Sequence, residues 1–118
     1  MMAKQSPKTP CLVMQQGPHP KRVFPLGKSL LTIGRAEDND IVISDAEVSR
    51  YHARLTWQGD KWVIEDLGSR NGTYIHGQQI TAPTILAPGA QLRLGPDVFL
   101  GMQMGAPKAS RSAKKSRK

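Results

Sequence analysis

The chain has 118 residues, 17 basic against 9 acidic, with a formal net charge of +8; this is room for one domain with its own hydrophobic core, not for two of ordinary size. The single cysteine, Cys11, excludes a disulfide framework and any four-cysteine zinc site, and no apolar run approaches the ~18–20 residues that would span a bilayer. The opening segment MMAKQSPKTPCLV has neither the apolar stretch nor the small-residue cleavage site of a signal peptide, so the expectation is a reduced, soluble, cytoplasmic protein.

The charge is unevenly placed. Residues 1–9 contribute Lys4 and Lys8, and residues 105–118 contribute Lys108, Arg111, Lys114, Lys115, Arg117 and Lys118 with no acid. Residues 10–104 hold nine bases and nine acids and are neutral. The chain thus divides into a disordered basic head (1–9), a folded domain (10–104) and a disordered basic tail (105–118), because single-sign segments with nothing to bury stay unfolded. Such a tail can attract nucleic acid or another acidic surface nonspecifically.

Inside the domain, short runs rich in Val, Ile, Leu, Trp and Thr are broken by turn signals every 8–12 residues or so, the pattern of an all-strand sandwich or barrel. The predicted strands, in chain order, are 11–16, 21–25, 29–34, 40–43, 51–57, 61–66, 73–76, 91–94 and 97–103. In 51–57, Ala53, Leu55 and Trp57 alternate with His52, Arg54 and Thr56, as a half-buried strand requires. Gln58-Gly59-Asp60 predicts a tight hairpin, Asn71-Gly72 a second, and Pro88-Gly89 and Gly95-Pro96-Asp97 further turns. No window repeats apolar residues at helical spacing, and with so few aromatics the core is expected to be mainly aliphatic.

Chemistry is sparse. His19, His52 and His76 with Cys11 supply no pair at zinc-ligand spacing, and there is no phosphate-binding glycine loop before a helix. Neither a metal nor a cofactor is expected. Ser49, His52 and Asp66 are the one set resembling a nucleophile, base and orienter. Ser49 and His52 are three apart, so on one strand they would face opposite ways; an enzyme is not the expected reading.

Three segments stand out together: Ile33-Gly34-Arg35, Ser49-Arg50-Tyr51-His52, and Asp66-Leu67-Gly68-Ser69-Arg70-Asn71-Gly72-Thr73. In order and spacing, with fifteen residues from Gly34 to Ser49 and twenty-two from Ser49 to Asn71, they resemble the forkhead-associated (FHA) domain over roughly residues 10–104. The resemblance implies an all-β, FHA-like (SMAD-like) β-sandwich of about eleven strands. It also implies no catalysis, and a loop end that binds phosphothreonine on partner proteins marked by Ser/Thr kinases. The alternative from another class is a nucleic-acid or acidic-surface adaptor, with the basic tail binding and the sandwich as scaffold.

The residues themselves lead to a similar place. Arg35 enters the polar loop Ala36-Glu37-Asp38-Asn39-Asp40, and a planar guanidinium suits a phosphate because its fork donates two parallel charge-assisted hydrogen bonds. Read alone, Arg35 is better taken as paired with Glu37 or Asp38 on the surface; the other motifs reverse that reading. Ser49 could reach the same anion or merely cap its loop. By resemblance Ser49 contacts the phosphate, Arg50 the phosphate or the peptide beside it, Arg70 contacts ligand, and the Asn71 amide grips the peptide backbone. Asn71 could also be no more than a turn residue. The resemblance places Gly34, His52, Ser69 and Gly72 behind the site as support. His76 stands in Tyr74-Ile75-His76-Gly77 where the family commonly has Asn. Thr9, within Lys8-Thr9-Pro10, is either a phosphorylation site or plain linker.

Overall fold

A computed structural model describes residues 10–104. The expectations for the head, Thr9 and the tail lie outside the described residues.

Eleven strands form two sheets. β1 (Pro10–Gln16), β2 (Val23–Pro25), β7 (Thr73–Ile75), β8 (Gln78–Gln79), β10 (Gln91–Leu94) and β11 (Val98–Met104) make a six-stranded sheet in the order β2-β1-β11-β10-β7-β8. β3 (Leu30–Gly34), β4 (Ile41–Val42), β5 (Ala53–Gln58), β6 (Lys61–Asp66) and β9 (Thr84–Ile85) make the other, in the order β4-β3-β5-β6-β9. All pairings are antiparallel except β3 with β4. The all-β sandwich is as expected. Among the described residues no helix is long and apolar enough to cross a membrane.

The alternation read in the sequence builds the core. Leu12 and Met14 of β1, Leu31 and Ile33 of β3, Ala53 and Leu55 of β5, Trp62 and Ile64 of β6, Leu92 and Leu94 of β10, and Leu100 and Met102 of β11 are all buried in one cluster. Each strand offers every second side chain to the space between the sheets, where removal from water is the main stabilising term. Phe24 and Trp62 are the aromatic residues in this cluster, so the core is aliphatic as expected. Trp57 breaks the pattern: it lies past the end of the core and is 43% exposed, tilted against Trp62 at 5.3 Å.

Two turn expectations resolve differently. Gly59-Asp60 closes the β5–β6 hairpin, with Gln58 opposite Lys61. Asn71-Gly72 closes none, because β6 and β7 belong to different sheets, and Asn71 is absent from the residues with positive φ. The two-residue hairpin forms instead at His76-Gly77, between Ile75 and Gln78, with φ of 50° and 82°. Both values are positive, as a type I′ turn demands.

Register fixes which end carries what. Thr73 faces Leu94 at one end of the six-stranded sheet, and Pro10 faces Met104 at the other. The loops before β7 and between β10 and β11 are therefore remote from the points where the described chain begins and ends.

Candidate functional site

At the loop end, a depression of about 440 Å³ is lined by Arg35, residues 46–51, Leu67, Gly68, Arg70 and Asn71. Its first wall depends on close backbone approach. A Cβ on Gly34 would lie 2.1 Å from the Arg50 carbonyl oxygen and 2.9 Å from Asn39 Nδ2, so glycine is needed here for space, not for an unusual φ. That contact lets the chain after β3 run beside the chain before β5. The Arg35 amide donates to Ser49 O at 3.0 Å, the Ala36 amide to Arg50 O at 3.2 Å, and the His52 amide to Ile33 O at 2.8 Å. Asn39, buried, ties the same strip by donating from Nδ2 to Ala36 O and Arg50 O.

Arg35 Nε donates to Val48 O at 3.0 Å. This holds the stem and leaves the terminal nitrogens unpaired among the described residues. The surface pairing with Glu37 or Asp38 does not form: the described ion pairs are Lys28–Asp40, Arg54–Glu65 and Lys61–Asp60, and Asp38 instead accepts from the Tyr51 hydroxyl.

Ser49 and His52 form the second wall. The Ser49 amide donates to His52 Nδ1 at 3.1 Å, and His52 Nε2 lies 2.9 Å from Gly72 O. Since Nδ1 accepts, the ring proton is on Nε2 and is donated to Gly72. Burial disfavours the charged ring and holds its pKa below the usual 6.5, against the opposing pull of the Gly72 carbonyl and Asp66. Ser49 Oγ accepts from the Arg70 amide at 3.0 Å, so its own O–H stays available to donate into the depression. The serine hydroxyl, histidine and Asp66 are therefore not linked as a relay: His52 binds the serine's amide, and Asp66 is engaged elsewhere.

Asp66 organises the β6–β7 loop. Its carboxylate accepts from the Gly68 and Ser69 amides, each at 2.9 Å, from Ser69 Oγ, and from Thr73 Oγ1 at 2.7 Å. Ser69 Oγ in turn accepts from the Gly72 amide at 2.9 Å. Burial alone would raise the Asp66 pKa, but these donors outweigh it and hold the carboxyl below 3.8. The loop so shaped carries Arg70 and Asn71 to the depression, with Gly72 at φ 91°.

Asn71 faces Glu47. Its Nδ2 donates to Glu47 O at 2.8 Å and to Glu47 Oε1 at 2.9 Å. Gly95 of the β10–β11 turn packs against both: a Cβ there would lie 3.1 Å from Glu47 O and 3.5 Å from Asn71 Cβ. Exposed Tyr51 and Leu67 add apolar surface at the rim.

Arg35, Ser49, Arg50, Arg70 and Asn71 thus line one surface, while Gly34, His52, Ser69 and Gly72 lie in the bonds behind it. Asn39 and Glu47 belong to the same construction although no motif marked them, and Thr73, the last residue of the third segment, joins it through Asp66. Asp66 belongs to it as loop organiser; Asp66-Leu67-Gly68-Ser69 is the Asx-turn signal that could have shown this.

A protein-family model described as the FHA domain matches residues 31–95. The chain belongs to the FHA domain family. FhaB of Mycolicibacterium smegmatis, itself an FHA domain-containing protein, is 39% identical over 88 residues, which are 75% of this chain and 57% of FhaB. This FHA chain spans a little over half the length of the curated relatives it first matches. Its fold is similar to that of Mycobacterium tuberculosis EmbR in complex with a low-affinity phosphopeptide, with TM-score 0.74 and 33% identity, over 84% of this chain and 25% of EmbR. A structure from a study of phosphothreonine-dependent FHA domain interactions matches with TM-score 0.73 and 28% identity, over 83% of this chain and 98% of that one.

Proposed function

We propose that this FHA domain binds phosphothreonine-containing segments of partner proteins, and so acts as an adaptor downstream of Ser/Thr kinases in the cytoplasm, with no reaction of its own. The observation that carries this reading is the convergence of Arg35, Arg50 and Arg70 with the Ser49 hydroxyl on one open depression in a domain of zero net charge. A phosphate brings about −1.5 to −2 charges and three acceptor oxygens. Arg35 supplies a guanidinium fork with its stem already fixed by Val48, so little rotamer freedom is lost on binding. Ser49 supplies a hydroxyl donor, Arg50 and Arg70 supply field and further donors, and Asn71 reaches the peptide backbone beside the phosphothreonine. Leu67 and Tyr51 offer apolar contact to the rest of the segment.

The test is calorimetric titration with a phosphothreonine peptide library, against phosphoserine and unphosphorylated controls. Hydrogen bonds to charged groups are worth ~1.5–3 kcal/mol, so Arg35→Ala is expected to weaken binding by roughly tenfold to a hundredfold or more. An Arg35→Ala affinity within a factor of two of wild type would overturn the assignment.

A further inference from the structure

We propose that Glu47 makes this site select phosphothreonine segments carrying a Lys or Arg beside the phosphothreonine; the inference rests on the phosphothreonine reading above. An amide nitrogen carries two hydrogens, and in the free protein Glu47 takes both from Asn71, one through its backbone oxygen at 2.8 Å and one through Oε1 at 2.9 Å. For Asn71 to donate to a peptide carbonyl, one of these bonds must be released.

The two are not equally easy to release. The backbone oxygen is fixed by its loop: the Glu47 amide donates to Asp45 Oδ1 at 2.8 Å, the Val48 amide donates to Asp45 O, and Gly95 packs against the Glu47 carbonyl. The carboxylate sits on an exposed, rotatable side chain. The peptide therefore displaces Oε1.

Displacement leaves an anion on the wall of a depression that has just accepted a dianionic phosphate, and like charges at close range repel. None of the three described ion pairs includes Glu47, and the three arginines that share its depression, Arg35, Arg50 and Arg70, are the groups that the reading above commits to the phosphate. The group that relieves this repulsion is a cation on the incoming segment. A Lys or Arg next to the phosphothreonine takes up the carboxylate that Asn71 gives back, so exchange of partners replaces loss of one.

The test is a fluorescence-anisotropy titration of the full chain with phosphothreonine peptides in which each flanking position in turn is Lys, Ala or Glu. Unphosphorylated twins accompany every peptide. In the wild type, Lys at one position is expected to bind about threefold to tenfold more tightly than Ala, the scale of a partly screened ion pair, with Glu weaker than Ala. Glu47→Gln keeps an oxygen for Asn71 without the charge and is expected to erase that preference and to tighten the Glu-bearing peptide. Glu47→Lys is expected to reverse the order. A flat Lys scan in the wild type, or a preference that survives Glu47→Gln, overturns the role of Glu47. Unphosphorylated twins binding as tightly as the phosphopeptides would overturn the phosphothreonine reading itself, which is a separate result.

Discussion

Asn71 shows how a residue's role changes once its partners are visible. In the sequence Asn-Gly reads as a hairpin, and the side chain could be incidental. In the fold Asn71 has no positive φ, and its amide bridges two loops through Glu47. Replacement by Ala therefore strains no turn. It removes two partly exposed hydrogen bonds, and the expected cost is about 1 kcal/mol of stability. Phosphothreonine-peptide binding should fall about tenfold or more, because the proposed backbone contacts go as well. Asn71→Asp is the sharper variant. It has the same shape, but it sets a carboxylate against the Glu47 oxygens and beside the phosphate. Its affinity is expected to lie below that of Asn71→Ala, measured by calorimetry on the same peptide. Equal affinities for wild type and Asn71→Asp would remove the amide from the binding surface.

At the scale of elements, strands with a buried face were legible and strands without one were not. β5, β6, β10 and β11 carry clear apolar alternation, and the runs predicted for them match within a residue or two. β8 is Gln78–Gln79, exposed at both residues, and β9 is Thr84–Ile85, two residues at a sheet edge with Ile85 51% exposed. Nothing in their composition separates them from loop; only pairing with β7 and β6 makes them strands. Turn chemistry misled for a related reason, since Asn-Gly carries the stronger hairpin signal while the register puts the hairpin at His76-Gly77. His76 holds a left-handed φ of 50°, a conformation that costs most L-residues about 1–2 kcal/mol and Asn less. His76→Asn is thus expected to raise stability by about 0.5 kcal/mol, or roughly 2–4 °C in Tm for a domain of this size. His76→Val, β-branched at the same φ, is expected to lower it by about 1–2 kcal/mol. Thermal melts of the two variants moving in the same direction would contradict the turn assignment.

For the molecule as a whole, the arginines and the serine hydroxyl that line the depression were legible, because they are the groups a phosphate would demand. Part of the scaffold behind them was not: Asn39 ties its strip through the Ala36 and Arg50 carbonyls and Thr73 acts through the Asp66 carboxylate, contacts that sequence spacing does not reveal. That scaffold joins the two sheets at the site end: His52, just before β5, holds Ser49 on one side and Gly72, just before β7, on the other. Its electrostatics make folding sensitive to acid. Burial lowers the folded-state pKa of His52 below 6.5, so under mild acid the unfolded chain takes up a proton that the folded chain refuses. Stability then rises with pH across that interval. The His52 contribution is complete above about pH 6.5 and is lost as the pH falls from there to the folded-state value. Asp66, lowered below 3.8 by Ser69, Thr73 and the Gly68 and Ser69 amides against the effect of burial, adds a second loss below about pH 3.8. Denaturant midpoints of the unliganded protein between pH 7.5 and 3 separate the two windows, and they avoid the titration of a bound phosphate near pH 6. The wild type is expected to weaken first as the pH falls below about 6.5. His52→Gln is expected to be less stable at pH 7.5 yet flat through that interval, with only the later loss remaining. If both proteins weaken equally as the pH first falls below about 6.5, the first window belongs to other groups, and His52 is not the acid-sensitive joint between the sheets.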